Sequence, residues 1–150
     1  MSFSNKTLTT LEFDKVLSML AECAPTEGAK GLALCLIPSS DRVEIARRLA
    51  RTTDARRLAE AKGMPPFGSV REVSAACERA EKGAMLTTRE LLEIAGVLRS
   101  ARQLNDYNRV NRTFPTSLDE IFERLLPNRT LEEKITRAIL SEDMIADEAS

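Results

Sequence analysis

The stretch that decides the fold runs from residue 25 to residue 58 and reads PTEGAKGLALCLIPSSDRVEIARRLARTTDARRL. It begins as a short apolar helix, which Pro38 stops because proline has no backbone N–H to continue the helix. A polar segment around Asp41 then caps a long, arginine-rich helix. We predict that this long helix ends at Gly63, because glycine suits the position after a helix, and that it extends roughly 30 Å.

The rest of the chain shows the same organisation of apolar residues three and four apart, bounded by caps, glycines and prolines. Four capping boxes of the form Ser/Thr-x-x-Glu mark predicted helix starts: Thr9 to Glu12, Thr87 to Glu90, Ser117 to Glu120 and Thr130 to Glu133. We therefore predict an all-α fold, a multi-helix bundle of antiparallel helices, with a short extended segment at Met144-Ile145 near the C-terminus.

Apolar spacing also predicts which side of each helix is buried. The long arginine-rich helix carries a predicted inward stripe, and four later helices each carry another. The predicted inward residues are Ile45, Leu49, Thr52, Ala55 and Ala59; Val70, Val73, Cys77 and Ala80; Leu91, Ile94, Ala95, Leu98 and Ala101; Leu118, Ile121, Phe122 and Leu125; and Leu131, Ile135, Ala138 and Ile139.

Length and composition indicate a single helical domain over residues 1–150. The chain has 43% hydrophobic and 30% charged residues, only 4% aromatic residues and no tryptophan, which favours packed helices over a sheet. Its net charge is −1, so it lacks the basic excess of a dedicated nucleic-acid-binding domain. It has neither a bilayer-spanning run nor a signal segment, and we expect a cytoplasmic protein without a membrane partner.

The residue types available exclude most catalytic chemistry. The chain has no histidine, which removes the usual proton shuttle and the commonest metal ligand. Its three cysteines, Cys23, Cys35 and Cys77, form no Cys-x-x-Cys pair and are predicted to be small buried hydrophobes. The acids Glu142, Asp143, Asp147 and Glu148 match no calcium-binding loop and are predicted to be a solvated turn. We therefore predict no catalytic residue, no cofactor site and no metal site in this chain.

The arginines of the long helix are the candidate contact residues. Glu44 can pair with Arg48, and Asp54 with Arg57, at helical spacing. Neither Arg47 nor Arg51 has an acid four residues towards the C-terminus, and Asp54 is assigned to Arg57. Arg47 and Arg51 are therefore candidates for contact with a phosphate group or a protein partner, the alternative being a solvated face.

The order of these features resembles the helical core, or lever, domain of the MutS family of DNA mismatch-repair ATPases. In that family a turn and an apolar helix are followed by a proline, a cap and a long helix beginning Glu-x-Ile. The residues that carry the resemblance are Pro25 to Gly28, Leu32, Leu36, Pro38, Asp41, Glu44, Ile45, Leu49, Asp54, Ala55, Val70 to Arg79, Leu86 to Leu92, Ile139 and Asp147 to Ser150.

The resemblance implies the second bacterial branch of the family. Thr10-Leu11-Glu12-Phe13-Asp14-Lys15 lies at the N-terminus, which leaves no room for the mismatch-reading and connector domains of classical members. Proteins of this branch continue into clamp helices, an ATPase and a nuclease domain. The resemblance thus implies a homodimer that uses ATP and Mg²⁺, binds branched DNA and suppresses homologous recombination, and a ribosome-associated role is also attributed to the branch.

On this interpretation the 150 residues are the N-terminal part of a longer protein, and they act as a non-catalytic lever segment of an ATPase and endonuclease. The alternative is a helical protein-interaction module, including one used in ribosome-associated quality control, with no DNA role.

Overall fold

The computed structural model describes residues 4–68, 70–110, 115–141 and 144–145, and these residues are mostly helical. The elements in chain order are α1 (Asn5–Thr10), α2 (Phe13–Glu22), α3 (Glu27–Leu34), α4 (Arg42–Lys62), α5 (Ser74–Glu81), α6 (Thr88–Arg109), α7 (Asp119–Glu123), α8 (Arg129–Ala138), β1 (Ile139–Ser141) and β2 (Met144–Ile145). The predicted all-α class is confirmed, as is the extended segment at Met144-Ile145.

Contacts within the chain divide it into two units, and the boundary falls inside α4, between Arg57 and Leu58. In the first unit α2 packs against α3, and α1 contacts α2. The buried apolar residues described there are both alanines, Ala21 and Ala33. The sequence-based prediction of a single domain over residues 1–150 stays a prediction.

The second unit is built on α6, which contacts α7, α8 and β1. Its core consists of Ala95 from α6 and of Ile135 and Ile139 from the end of α8 and the start of β1. Partly buried apolar residues surround this core: Leu91, Leu92, Ile94 and Ala138. The predicted inward positions of Ala95, Ile135 and Ile139 are thereby confirmed.

The C-terminal hairpin continues directly from α8. Strand β1 pairs with β2 in antiparallel orientation, with Ile139 opposite Ile145 and Ser141 opposite Met144. The sequence pattern assigned Ile139 to the last helix, whereas the structure makes it the first residue of β1. Its side chain is nevertheless buried, because the strand leaves the helix beside the same core.

The capping box at Thr87 and Glu90 is confirmed. The Thr87 hydroxyl accepts from the Glu90 N–H at 3.3 Å, and the Glu90 carboxylate accepts from the Thr87 N–H at 2.9 Å. Both helix-start donors are thus satisfied, and α6 begins where its sequence predicts.

The other three predicted capping boxes are wrong. Thr9 lies within α1, and α2 begins after Glu12, which makes no side-chain cap hydrogen bond. Helix α8 begins after Asn128, whose side chain accepts from the Leu131 N–H at 3.0 Å. Asparagine is a stronger N-cap than threonine, so the earlier Asn128 replaces Thr130. At α7 the predicted Ser117 cap is replaced by a turn in which the Asp119 carboxylate accepts from the Thr116 N–H at 3.0 Å.

Helix α5 also differs from its predicted face. It begins at Ser74, and Ala76 is its buried residue, while Cys77 and Ala80 are exposed. The N–H groups of Gly83 and Ala84 bond to the carbonyls of Ala80 and Arg79, a Schellman ending that fixes the C-terminal turn. Val70 and Val73 are half-buried but precede the helix. The prediction from periodicity that they belong to it is therefore wrong.

We predict that Ile135→Ala lowers the free energy of unfolding by about 2–4 kcal/mol, because it leaves a cavity beside Ala95. Urea unfolding followed by circular dichroism measures this change. Leu126→Ala is the control, since Leu126 is 83% exposed and its truncation should cost no more than about 0.5 kcal/mol. Equal losses in the two variants would contradict the assignment of Ile135 to the core.

Candidate partner-contact surfaces

Helix α4 has the ends that its sequence predicts. One carboxylate oxygen of Asp41 accepts from the N–H groups of Val43, at 2.8 Å, and Glu44, at 3.3 Å. At the other end Gly63 has φ +80°, and its N–H donates to the carbonyl of Ala59 at 2.9 Å. A side chain with Cβ is strained at this φ, so glycine is the suitable residue there.

Glu44 organises the first turns of the long helix. Its carboxylate accepts from Arg47 Nη2 at 2.5 Å and from Arg48 Nε at 2.6 Å. The hydrogen bond from Arg48, reinforced by Arg47, holds the pKa of Glu44 below its ordinary value. Arg48 also donates to the carbonyl of Ile37 at 3.1 Å, which ties the preceding loop to the helix. The predicted Glu44–Arg48 pair is therefore confirmed.

The two candidate contact residues have different surroundings. Arg47 has an acid partner after all, Glu44, which lies one turn towards the N-terminus, and its side chain is 57% exposed. Arg51 is half-buried. The structure thus presents Arg47 to solvent as one half of an ion pair, and contact of Arg47 and Arg51 with a phosphate or a partner stays a prediction.

The predicted inward stripe of α4 is wrong. Leu49 is 63% exposed, and Ile45, Thr52 and Ala55 are also exposed. The protected side instead carries charged residues, the half-buried Glu44, Arg51 and Asp54, followed by the buried Leu58. Apolar spacing correctly groups residues on one side of a helix, but it does not determine that this side faces the interior.

A groove between α2 and α3 is the second surface of interest. It has a volume of about 300 Å³ and an apolar lining. The lining residues are Leu20, Cys23, Ala24, Ala29, Leu32, Ala33 and Leu36. Cys23, Cys35 and Cys77 are all exposed, so the prediction that they are buried is wrong. Leu32 is 75% exposed at the groove, which leaves an apolar surface open to a partner.

A buried carboxylate joins α8 to α6 in the second unit. Glu132 is 5% exposed and accepts from Arg99 Nε at 3.1 Å, from Arg102 Nη2 at 2.9 Å and from Arg102 Nε at 3.1 Å. The hydrogen bonds from Arg102 lower the pKa of Glu132, and the same contact raises the pKa of Arg102. The sequence pattern did not predict this cluster. The sequence signal for the cluster was Glu132 itself, an acid three residues before Ile135 on the apolar side of the helix.

A second polar contact joins the C-terminal ends of α4 and α6. Lys62 Nζ donates to the carbonyls of Tyr107, at 2.9 Å, and Asn108, at 3.2 Å, while the Tyr107 hydroxyl donates to the carbonyl of Gly63 at 2.8 Å. The ammonium lies 5.5 Å from the centre of the Tyr107 ring. Burial raises the pKa of the Tyr107 phenol. We call this contact the Lys62–Tyr107 latch.

Two further kinds of site, a metal centre and a membrane span, are absent from the part of the chain that the structure describes. Within the described residues no group of three or more cysteine and carboxylate side chains is placed to hold a metal ion. No helix in the same ranges is long and apolar enough to cross a membrane. The acids Glu142, Asp143, Asp147 and Glu148 lie outside the described residues.

Comparison with known proteins finds relatives that share one name. No family model matches the chain. Curated relatives do: the chain is 36% identical to Endonuclease MutS2 of Ruminiclostridium cellulolyticum over 98% of its length. The corresponding values are 36% over 98% for Endonuclease MutS2 of Acetivibrio thermocellus and 33% over 98% for that of Clostridium beijerinckii.

The architecture is that of an all-helical segment whose order of helices resembles the core of the MutS family. With these relatives matched along nearly its whole length, the chain has the similarity expected of a fragment of a MutS2 family protein. It spans 19% of the length of each of the three relatives.

We predict that Glu132→Gln lowers the free energy of unfolding by about 1–3 kcal/mol near neutral pH, because both arginines lose a charged acceptor. The pKa of Glu132 is lower in the folded chain than in the unfolded one. Its contribution is therefore full above the unfolded pKa, about 4.3, and is lost as pH falls through the folded pKa. Urea unfolding at a series of pH values measures the difference between the two proteins.

The matched control for this experiment is Glu133→Gln on the same helix. Glu133 pairs with Arg129 at 2.8 Å, but both side chains are largely solvated. Its replacement should change stability by at most about 1 kcal/mol. A difference between wild type and Glu132→Gln that did not shrink at acid pH would contradict the role assigned to the carboxylate.

Proposed function

We propose that this chain is a structural lever segment of a MutS2-type protein, a DNA-binding ATPase and endonuclease that suppresses homologous recombination. The observation that carries the proposal is the match to relatives named Endonuclease MutS2 along 98% of the chain. The chain corresponds to 19% of those relatives, so we assign catalysis to other parts of such a protein. ATP and Mg²⁺ would be bound in those parts as well.

The Lys62–Tyr107 latch supports a mechanical role. Helices α4 and α6 are the longest described elements, at 21 and 22 residues. The latch joins their C-terminal ends by three hydrogen bonds. Helices move as rigid elements, so a joint between two helix ends would pass a displacement of one end to the other. The segment would in this way connect the ATPase state to the DNA-binding part of the protein.

The partners in this proposal are branched DNA and a second copy of the full protein, in the cytoplasm. Arg47 and Arg51 are the proposed contact residues on α4. Arg47 supports the DNA contact better, since it is exposed and can exchange Glu44 for a phosphate oxygen. Arg51 is half-buried and would add to the positive charge on that side of the helix.

Fluorescence anisotropy of a labelled four-way DNA junction tests the contact. We expect the chain to bind weakly, with an affinity that falls steeply between about 50 mM and 200 mM salt, because bound arginines release counterions. The Arg47→Ala/Arg51→Ala variant should bind less tightly and show a smaller salt slope.

The control is Arg71→Ala/Arg124→Ala, which makes the same change in net charge at two exposed arginines outside α4. An equal loss in both double variants would mean that only net charge matters. Unchanged binding after the α4 substitutions would contradict the proposed contact and leave DNA affinity to other parts of the protein.

A second function, a helical protein-interaction module used at the ribosome, is favoured by the groove between α2 and α3. An apolar concave surface with an exposed leucine is suited to a protein partner rather than to phosphate. On this proposal the chain needs no DNA contact.

Sedimentation with bacterial ribosomes tests the second function. If the groove is the contact surface, wild-type chain should pellet with ribosomes at physiological salt and Leu32→Glu should stay in the supernatant, because a carboxylate cannot be buried against an apolar partner. Met85→Glu is the control, since Met85 is 95% exposed and lies outside the groove. Wild-type chain that does not pellet would count against this function.

A further inference from the structure

The first half of α4 exposes its apolar side chains and protects its charged ones. Val43 is 78% exposed, Leu49 63% and Ile45 37%, although all three are large apolar residues. Glu44 and Arg51, in the same turns, are half-buried. A helix packed only within this chain would have the opposite arrangement, because burial of apolar side chains drives packing.

The exposed apolar residues form a continuous surface. At about 100° per residue, Ile45, Leu49, Ala46, Ala50 and Val43 fall in that order within an arc of about 160°. All five are exposed. We call these five residues the α4 apolar arc. Its width is that of a helix face that packs against a neighbouring helix.

The charged residues that flank the arc along the helix axis have one sign. Arg42, Arg56 and Arg57 project within the arc or extend it towards the C-terminus, and all three are exposed. Of the acids among residues 42–57, Glu44 projects about 100° outside the arc and Asp54 about 20° beyond its Val43 edge. A complementary partner therefore presents an apolar ridge bordered by carboxylates.

The composition of the first unit supports the same conclusion. Its described buried apolar residues, Ala21 and Ala33, are small, while leucines of the same unit are exposed. A unit with so little buried apolar area gains little free energy from its own packing. Burial of the arc against another element would supply what this unit lacks.

The relatives indicate where that element comes from. The chain spans 19% of their length, so most of each relative's polypeptide has no counterpart in these 150 residues. We infer that the α4 apolar arc is the docking face for an amphipathic helix with acidic borders, supplied by the part of the MutS2 polypeptide that this chain does not span. This inference rests on the proposed function in one respect, that the chain is a segment of a longer protein.

Overlapping peptides test the inference. Peptides of roughly 25 residues, long enough to form helices, would cover the remainder of the Acetivibrio thermocellus relative and be screened for binding to the labelled 150-residue chain. We expect the bound peptides to share an amphipathic helical pattern with acidic borders. Replacement of their border carboxylates by lysine should weaken binding, because the arginines of α4 then meet like charges.

Substitutions in the arc give the decisive comparison. Leu49→Glu and Ile45→Glu should each weaken binding of a selected peptide at least about tenfold, as measured by fluorescence anisotropy. Both positions are exposed, so the variants should keep the melting temperature of the wild type within a few degrees. Met85→Glu, at an exposed residue in the second unit, should leave binding unchanged.

Three results would overturn the inference. The first is that no peptide binds, and the second is that Leu49→Glu and Met85→Glu bind the peptides as tightly as wild type. The third is concentration-dependent dimerisation in analytical ultracentrifugation that Leu49→Glu abolishes, since a second copy would then cover the arc. Junction binding through Arg47 and Arg51 is measured separately, so the docking inference can fail while the proposed function stands.

Discussion

The contact on which the second unit depends is the Glu132 carboxylate shared by Arg99 and Arg102. A buried carboxylate costs free energy unless paired groups satisfy its oxygens, and here three N–H donors do so. Two arginines three residues apart on α6 therefore fix both the height and the rotation of α8. That register places Ile135 and Ile139 against Ala95, and β1 continues directly from α8. The apolar core and the hairpin thus follow from one ionic contact.

The first unit is held in its conformation by different interactions. Its long helix is ordered by local ion pairs and by the Asp41 cap rather than by a core of its own. Solvated pairs of this kind contribute little to stability, so they select the conformation of α4 more than they stabilise the unit. Most of the free energy available to this unit lies in apolar surface that its described residues leave exposed, on α4 and along the groove between α2 and α3.

Local signals allowed much of this structure to be predicted, and long-range contacts account for the rest. The Asp41 cap, the Thr87 capping box and Gly63 each act within a few residues, so sequence spacing identifies them. Glu132 depends on arginines about thirty residues away, and no local pattern specifies that pairing. The predicted inward stripe of α4 is wrong for another reason. Periodicity shows which residues share a face, whereas the surrounding chain determines whether that face is covered.

The orientation of α4 also bears on how one helix could serve two partners. Arg47 projects about 40° beyond the Val43 edge of the apolar arc, so it lies beside the docking face and not within it. A phosphate at Arg47 would compete with Glu44, whose carboxylate is also shared with Arg48. A phosphate bound to Arg47 would leave Glu44 paired with Arg48, so the carboxylate would keep a partner. Docking on the apolar arc and ionic contact at Arg47 thus use different side chains of α4. A substitution in one can therefore leave the other contact in place.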